Sequence, residues 1–182
     1  MTAAQRSEFT RINRSSNAQM DATFIAITDT GVDVRYTTGI RLRGNYSRGQ
    51  RPPNNRINIP TDRPWLGVTE LTFNVQNIVN QLAGYNLFGL SGLATSTARP
   101  VFMYSNGQNL HRPGATYAHV EPLNSEFSQH HFPFDDGGNL YKGRRPVESP
   151  PGGQGAGLQY FGENPGPYVS YQKQTNESEA DW

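Results

Sequence analysis

Polar and apolar positions alternate with a period of two over much of the first third of the chain, the pattern of half-buried strands. Thr23-Phe24-Ile25-Ala26-Ile27-Thr28 is rich in β-formers, Asp29-Thr30-Gly31 turns it, and Val32 to Tyr36 and Gly39 to Gly44 alternate again. These read as antiparallel strands joined by short turns. After Pro52-Pro53, the run Arg56-Ile57-Asn58-Ile59 places two β-branched residues on one face before Pro60 ends it. A short strand from Glu70 to Phe73 follows the turn at Trp65-Leu66-Gly67.

The period then changes. From Val75 to Leu93 the residues Val75, Ile78, Val79, Leu82, Tyr85, Leu87 and Phe88 fall largely at three- and four-residue steps, which predicts one amphipathic helix packed on the sheet. Gly92 suits its end. Arg99 to Tyr104 reads as a buried strand, Asn106-Gly107 as a hairpin turn, and Thr116 to Val120 as the second arm. A short helix is expected near Ser125 to His130, and strands at Asn139 to Lys142 and Leu158 to Phe161, with a Pro/Gly linker over 146–157. Asn176 with Glu179 has the spacing of a helix N-cap and its partner. Residues 1–20 are polar, with a short helix around Glu8 to Ile12, and read as a lead-in to a folded region over 21–182.

Composition narrows the classes. With 34% hydrophobic residues and 19 glycines, 182 residues suffice for a packed core. Sixteen basic and fifteen acidic residues give a net charge of +1 with the signs interspersed, so neither a nucleic acid nor an anionic membrane surface is the expected partner. Zero cysteines exclude disulfide scaffolds, thiolate metal sites and a thiol nucleophile. Met1 to Met20 has no apolar core of an export signal, and no run approaches a membrane span.

Several motifs fail on their surroundings. Gly153-Gln154-Gly155-Ala156-Gly157 lacks the strand before and helix after that a phosphate loop needs, and reads as linker. His111, His119, His130 and His131 have no metal-ligand spacing, and Asp135-Asp136 at a Gly-Gly turn lacks the calcium-loop pattern. Gly-x-Ser-x-Gly does not occur. Arg41-Leu42-Arg43-Gly44-Asn45-Tyr46-Ser47-Arg48 is different: a strand delivering arginines into a glycine turn with Asn and Ser can offer guanidinium and backbone donors to a phosphate.

This segment opens an ordered series of motifs running from about Met20 to Trp182. It continues with Arg56 to Pro60, Asp62-Arg63-Pro64-Trp65, Ala98-Arg99-Pro100-Val101, and the spaced Gly114, Tyr117 and Glu121. Gly138-Asn139-Leu140-Tyr141-Lys142, Leu158-Gln159-Tyr160 with Gly162, and Tyr171 to Glu177 close it. The series resembles the first half of the CotH-type (spore coat protein H) kinase-like domain. Where many members carry lysines just ahead of the strand at Arg56 to Ile59, Asn54 and Asn55 stand here, leaving Arg56 as the basic residue of that strand.

The resemblance implies an α+β fold, a mostly antiparallel sheet with one main helix, equivalent to an atypical protein-kinase N-lobe and hinge. It also implies phosphoryl transfer from ATP with Mg2+ to Ser residues of coat or secreted proteins, with extracellular or spore-coat localisation by analogy. That chemistry needs a cation at the phosphates and a carboxylate orienting it. The resemblance assigns these to Lys142 and Glu121, with Arg43 and Arg48 as further phosphate partners and Gly44, Asn45 and Ser47 shaping the turn. The metal-holding aspartates of the helical lobe are expected past Trp182, so this chain alone is expected to be inactive, with that lobe as a missing partner. A structural or adhesive module presenting exposed aromatic residues is the rival expectation.

Overall fold

The computed structural model describes residues 1–13, 16–44, 46–49, 52–109, 116–143 and 156–179. It is α+β and divides into two compact units, Met1–Pro122 and Leu123–Trp182. In the first unit, six strands form a sheet in the order β1 (Gln19–Thr28), β2 (Gly31–Leu42), β3 (Asn55–Asn58), β4 (Glu70–Asn74), β8 (Tyr117–Val120) and β5 (Ala98–Val101), every neighbouring pair antiparallel. Between β5 and β8 lies a small separate hairpin, β6 (Tyr104–Ser105) with β7 (Gln108–Asn109). The helices α1 (Ala3–Arg11) and α2 (Ile78–Leu90) complete the unit.

The alternation read from the sequence is what builds this sheet. Met20, Ile40, Ile57 and Leu71 lie opposite one another on successive strands, as do Leu42, Asn55, Phe73 and His119 in the next row. Ile40, Leu42, Ile57, Leu71, Phe73 and Tyr117 are buried together with Ile59 and Trp65. Burying each of the large side chains contributes about 2 kcal/mol. β2 is one strand where two were expected, because its pairing with β1 continues through an irregularity between Ala22 and Phe24 and a left-handed Thr37 at φ +57°.

Several expectations change in detail. Asn106-Gly107 does turn a hairpin, but a short one. The arm expected to complete it, β8, pairs instead with β5 and β4. Pro100 is tolerated in β5 because that strand lies at the sheet edge. The polar opening segment holds α1, longer than expected because Thr2 and Gln5 form a reciprocal cap (Thr2 N to Gln5 Oε1 2.7 Å, Gln5 N to Thr2 Oγ1 3.1 Å). Its Phe9 is 8% exposed and belongs to the core. α2 packs against β5 and β8, yet none of its residues is fully buried and Val79, Leu87, Phe88 and Leu90 are exposed.

The second unit contains α3 (Ser125–His131), capped by Asn124, and a two-stranded ribbon of β9 (Tyr141–Gly143) and β10 (Tyr171–Lys173). The ribbon joins two of the sequence motifs, setting Lys142 opposite Gln172. Thr175 Oγ1 accepts from Leu140 N (2.8 Å) and donates to Gly138 O (2.9 Å), and Asn176 Nδ2 donates to Gly137 O (2.9 Å) and Asn139 Oδ1 (3.0 Å). Asn176 is therefore a left-handed clasp (φ +49°) rather than the start of a helix. The strand expected at Leu158 to Phe161 does not form, since those backbone donors go to tyrosine hydroxyls, Leu158 N to Tyr171 and Phe161 N to Tyr168, each at 2.7 Å. The 146–157 linker lies almost wholly outside the described residues, as do Asn45, His111 and Gly114. Among the described residues no helix is long and apolar enough to cross a membrane.

Candidate anion-binding site

The strand register that buries one face gathers arginines on the other. Arg41 and Arg56 are direct partners across β2 and β3, and Arg43 follows two residues along on the same face. Like charges set directly opposite on neighbouring strands are destabilising. The cluster shows it in its ionisation: Arg56 is depressed to about 10, first by burial and then by Arg41 and Arg43. Arg43 is lowered by burial and by Arg41, partly offset by Tyr85 of α2, and Arg41 is lowered by burial and by Arg48.

Counter-charge at the cluster is sparse. Glu70 pairs with Arg56, and Arg56 Nε donates to Asn58 Oδ1 at 3.0 Å. Among the described residues neither Arg41 nor Arg43 has a carboxylate partner. Arg43 is held by neutral groups: Nη1 donates to Asn74 Oδ1 (2.8 Å), and Asn74 Nδ2 donates to Gln81 Oε1 on α2 (2.7 Å). The helix thus fixes the guanidinium through an amide relay without neutralising it.

The turn beside the arginines is braced from within. Gly44 sits at φ +92°, where a Cβ would collide with Ser47 Oγ. Ser47 Oγ accepts from Asn54 Nδ2 (3.0 Å), Asn54 O accepts from Arg43 N (3.0 Å), and Asn54 Oδ1 accepts from Val75 N (2.8 Å). The buried Asn54 ties the arginine turn to the segment entering α2. Arg48 donates from Nε to Gly44 O and from Nη1 to Ser16 O (2.8 Å), so it clasps the turn to the chain ahead of β1.

Of the residues singled out in the sequence, Arg43, Gly44, Ser47 and Arg48 come together here, while Asn45 lies outside the described residues. Glu121 follows β8 in the first unit and accepts from Thr97 N at 2.9 Å; Lys142 belongs to the second unit's ribbon. Arg41 and Arg56 stood in the motifs read from the sequence without being matched to each other, whereas Asn54 and Asn74 had no site role there. A signal existed for the first two: arginines at solvent-facing positions of strands joined by one antiparallel connection can fall opposite each other, but the register decides it.

On the core face, His119 is 8% exposed, stands edge-on to Phe73 with ring centroids 5.4 Å apart, and has no hydrogen-bond partner for either ring nitrogen among the described residues. Burial, then Arg99 opposite it on β5, pushes its pKa down to about 4, with Glu121 pulling the other way. It is a neutral core side chain under ordinary conditions.

Guanidinium and amide donors on a half-buried surface suit an anion with several oxygens, phosphate above all, and cannot ligate a cation. In comparisons with known proteins, no family model matches the chain and no curated protein matches it.

Proposed function

We propose that the first unit binds the phosphate chain of a nucleotide, as the phosphate-recognising part of a CotH-type kinase-like domain that transfers a phosphoryl group from ATP to Ser side chains of coat or secreted proteins. The supporting observation is the partnering of Arg41 with Arg56 across two strands, with Arg43 alongside and Glu70 as the carboxylate paired in the cluster. Such a conflict within the apo protein is relieved when an anion enters, and a fold that carries one is paying stability for binding. In this reading Arg41, Arg43 and Arg56 neutralise and orient the phosphates, and Gly44 and Ser47 shape the turn. In the cluster the Glu70 carboxylate is engaged by Arg56 and the remaining charged groups are guanidiniums, so the Mg2+ that the resemblance implies would be held by groups outside it.

Calorimetric titration tests this. MgATP and tripolyphosphate are expected to bind more tightly than AMP or inorganic phosphate, since the site reads phosphate charge, and Arg41→Gln or Arg56→Gln to weaken binding about tenfold each, the effect of losing one charge-assisted hydrogen bond. Lys142→Ala and Glu121→Ala, at the pair that the resemblance assigns, are each expected to leave tripolyphosphate binding at the arginines unchanged. The rival structural or adhesive reading draws on Phe132, Phe134, Tyr141 and Tyr160, all exposed in the second unit. It predicts no stabilisation by any nucleotide.

A further inference from the structure

The β1–β2 hairpin projects past the rest of the sheet, because β3 pairs only with Gly39 to Leu42. One side of the projection is anchored. Phe24 meets Trp65 edge-on at 5.4 Å, Ala26 is 8% exposed, and Arg35 donates from Nε to Arg63 O (3.2 Å) and from Nη2 to Pro64 O (3.1 Å). The other side carries Ile25 opposite Val34 and Ile27 opposite Val32, with Ile25, Ile27 and Val32 exposed by 56, 80 and 67%.

β1 is also the first strand of the sheet, and among the described residues no strand pairs with its outer side. Its segment Ala22 to Thr28 contains no charge, proline or glycine. An open edge of that composition is a template for another strand, and this one has none of the usual defences of charge or proline. The register irregularity at Ala22/Phe24 leaves Phe24 to Thr28 as the regular stretch, with Ala26 at its centre.

We infer that β1 pairs antiparallel with β1 of a second copy, about a two-fold axis perpendicular to the sheet at Ala26. The sequence selects both the occupant and the register. With the axis at Ala26, Ile25 faces Ile27 of the other copy, and two rows form of the type Val34, Ile25, Ile27, Val32, joining both hairpins in one apolar strip. On the anchored side the small Ala26 sits at the axis against its own copy. Moving the axis to Ile25 sets Asp21 against Asp29, a like-charge pair, and moving it to Phe24 or Ile27 sets an aspartate against an isoleucine. A two-fold contact of this kind closes on itself and stops at a dimer. A ladder of five residues per copy is small beside the roughly 1,600 Å² of a standard interface, so micromolar association is expected.

Sedimentation velocity on the 182-residue chain over a concentration series tests it, alongside Ile25→Lys/Ile27→Lys and Ile25→Lys/Ile27→Glu. Exposed positions leave the fold intact, which circular dichroism and the unfolding midpoint check. The expected result is a dimer that dissociates on dilution, is weakened at least tenfold by the two lysines, and returns with the Lys/Glu pair, because residue 25 of one copy then meets the opposite charge at residue 27 of the other. A chain that stays monomeric to roughly 1 mM, a dimer indifferent to the two lysines, assembly beyond a dimer, or failure of the Lys/Glu variant to recover would each overturn the inference.

Discussion

The two faces of the six-stranded sheet are made from alternate residues of the same strands, yet they do opposite things. Ile40, Leu42, Ile57, Leu71 and Phe73 interlock in the core, whereas Arg41, Arg43, Arg56, Asn58 and Asn74 lie between them in sequence and carry hydrogen bonds and charge. On the first face the apolar side chains pack against one another, with His119 buried among them. On the second, Arg41 and Arg56 oppose each other across a strand pair, and Arg43 beside them is held by the Asn74 amide. The lesson is that a strand built for a core delivers, at no cost in chain length, a second set of side chains at fixed 7 Å intervals or so, and that rigidity is what lets the sheet hold like charges together.

The largest break to this contrast comes from the core side. Leu71→Ala, at 1% exposure, is expected to cost about 3 kcal/mol in urea unfolding and to weaken anion binding only through lost folding. His119 probes the same face by pH. Its folded pKa lies below its unfolded value, so the neutral form is favoured in the native state and the stability it contributes is present above about pH 6.5. That stability is lost as pH falls toward about 4, to the extent of about 3 kcal/mol. Urea unfolding of His119→Leu from pH 7 to pH 4 is expected to lack this component of the slope.

Gly44→Ala crosses from one face to the other. Strain at φ +92° and the collision with Ser47 are expected to cost about 2 kcal/mol and to lower polyphosphate affinity by displacing the arginine turn, read by thermal unfolding and calorimetry together. The smallest effect sharpens the contrast most. Glu70→Gln removes the carboxylate paired in the cluster, so polyphosphate binding is expected to tighten roughly threefold while stability in the absence of anion falls, opposite signs that a purely structural role for the arginines does not give.

Much of the fold is legible in the sequence because period-two alternation and the change to a helical period are local signals. The main helix, which forms over Ile78–Leu90 within the expected Val75 to Leu93, the turn at Asn106-Gly107 and the strands from Thr23 to Phe73 follow from it. Pairing is not local. Nothing near Thr116 says that β8 joins β4 and β5 rather than the Asn106-Gly107 hairpin, and nothing near Gly138 says that Leu140 is clasped by Thr175. The site divides the same way: Arg43, Gly44, Ser47 and Arg48 are contiguous and readable as a turn, whereas Arg41 acquires meaning only when register brings Arg56 opposite it. Asn54 is the instructive miss, since in sequence it is the place of an absent lysine and in the fold it is the bracket joining the turn to Val75.

The most direct measurement is the calorimetric titration of the chain with tripolyphosphate, beside Arg41→Gln/Arg56→Gln as a double variant. The polar face as a phosphate site predicts binding that weakens steeply with salt and falls about a hundredfold in the double variant, with a lowered unfolding midpoint because the buried Glu70 loses Arg56. Equal binding by both proteins, or none by either at low salt, would contradict it.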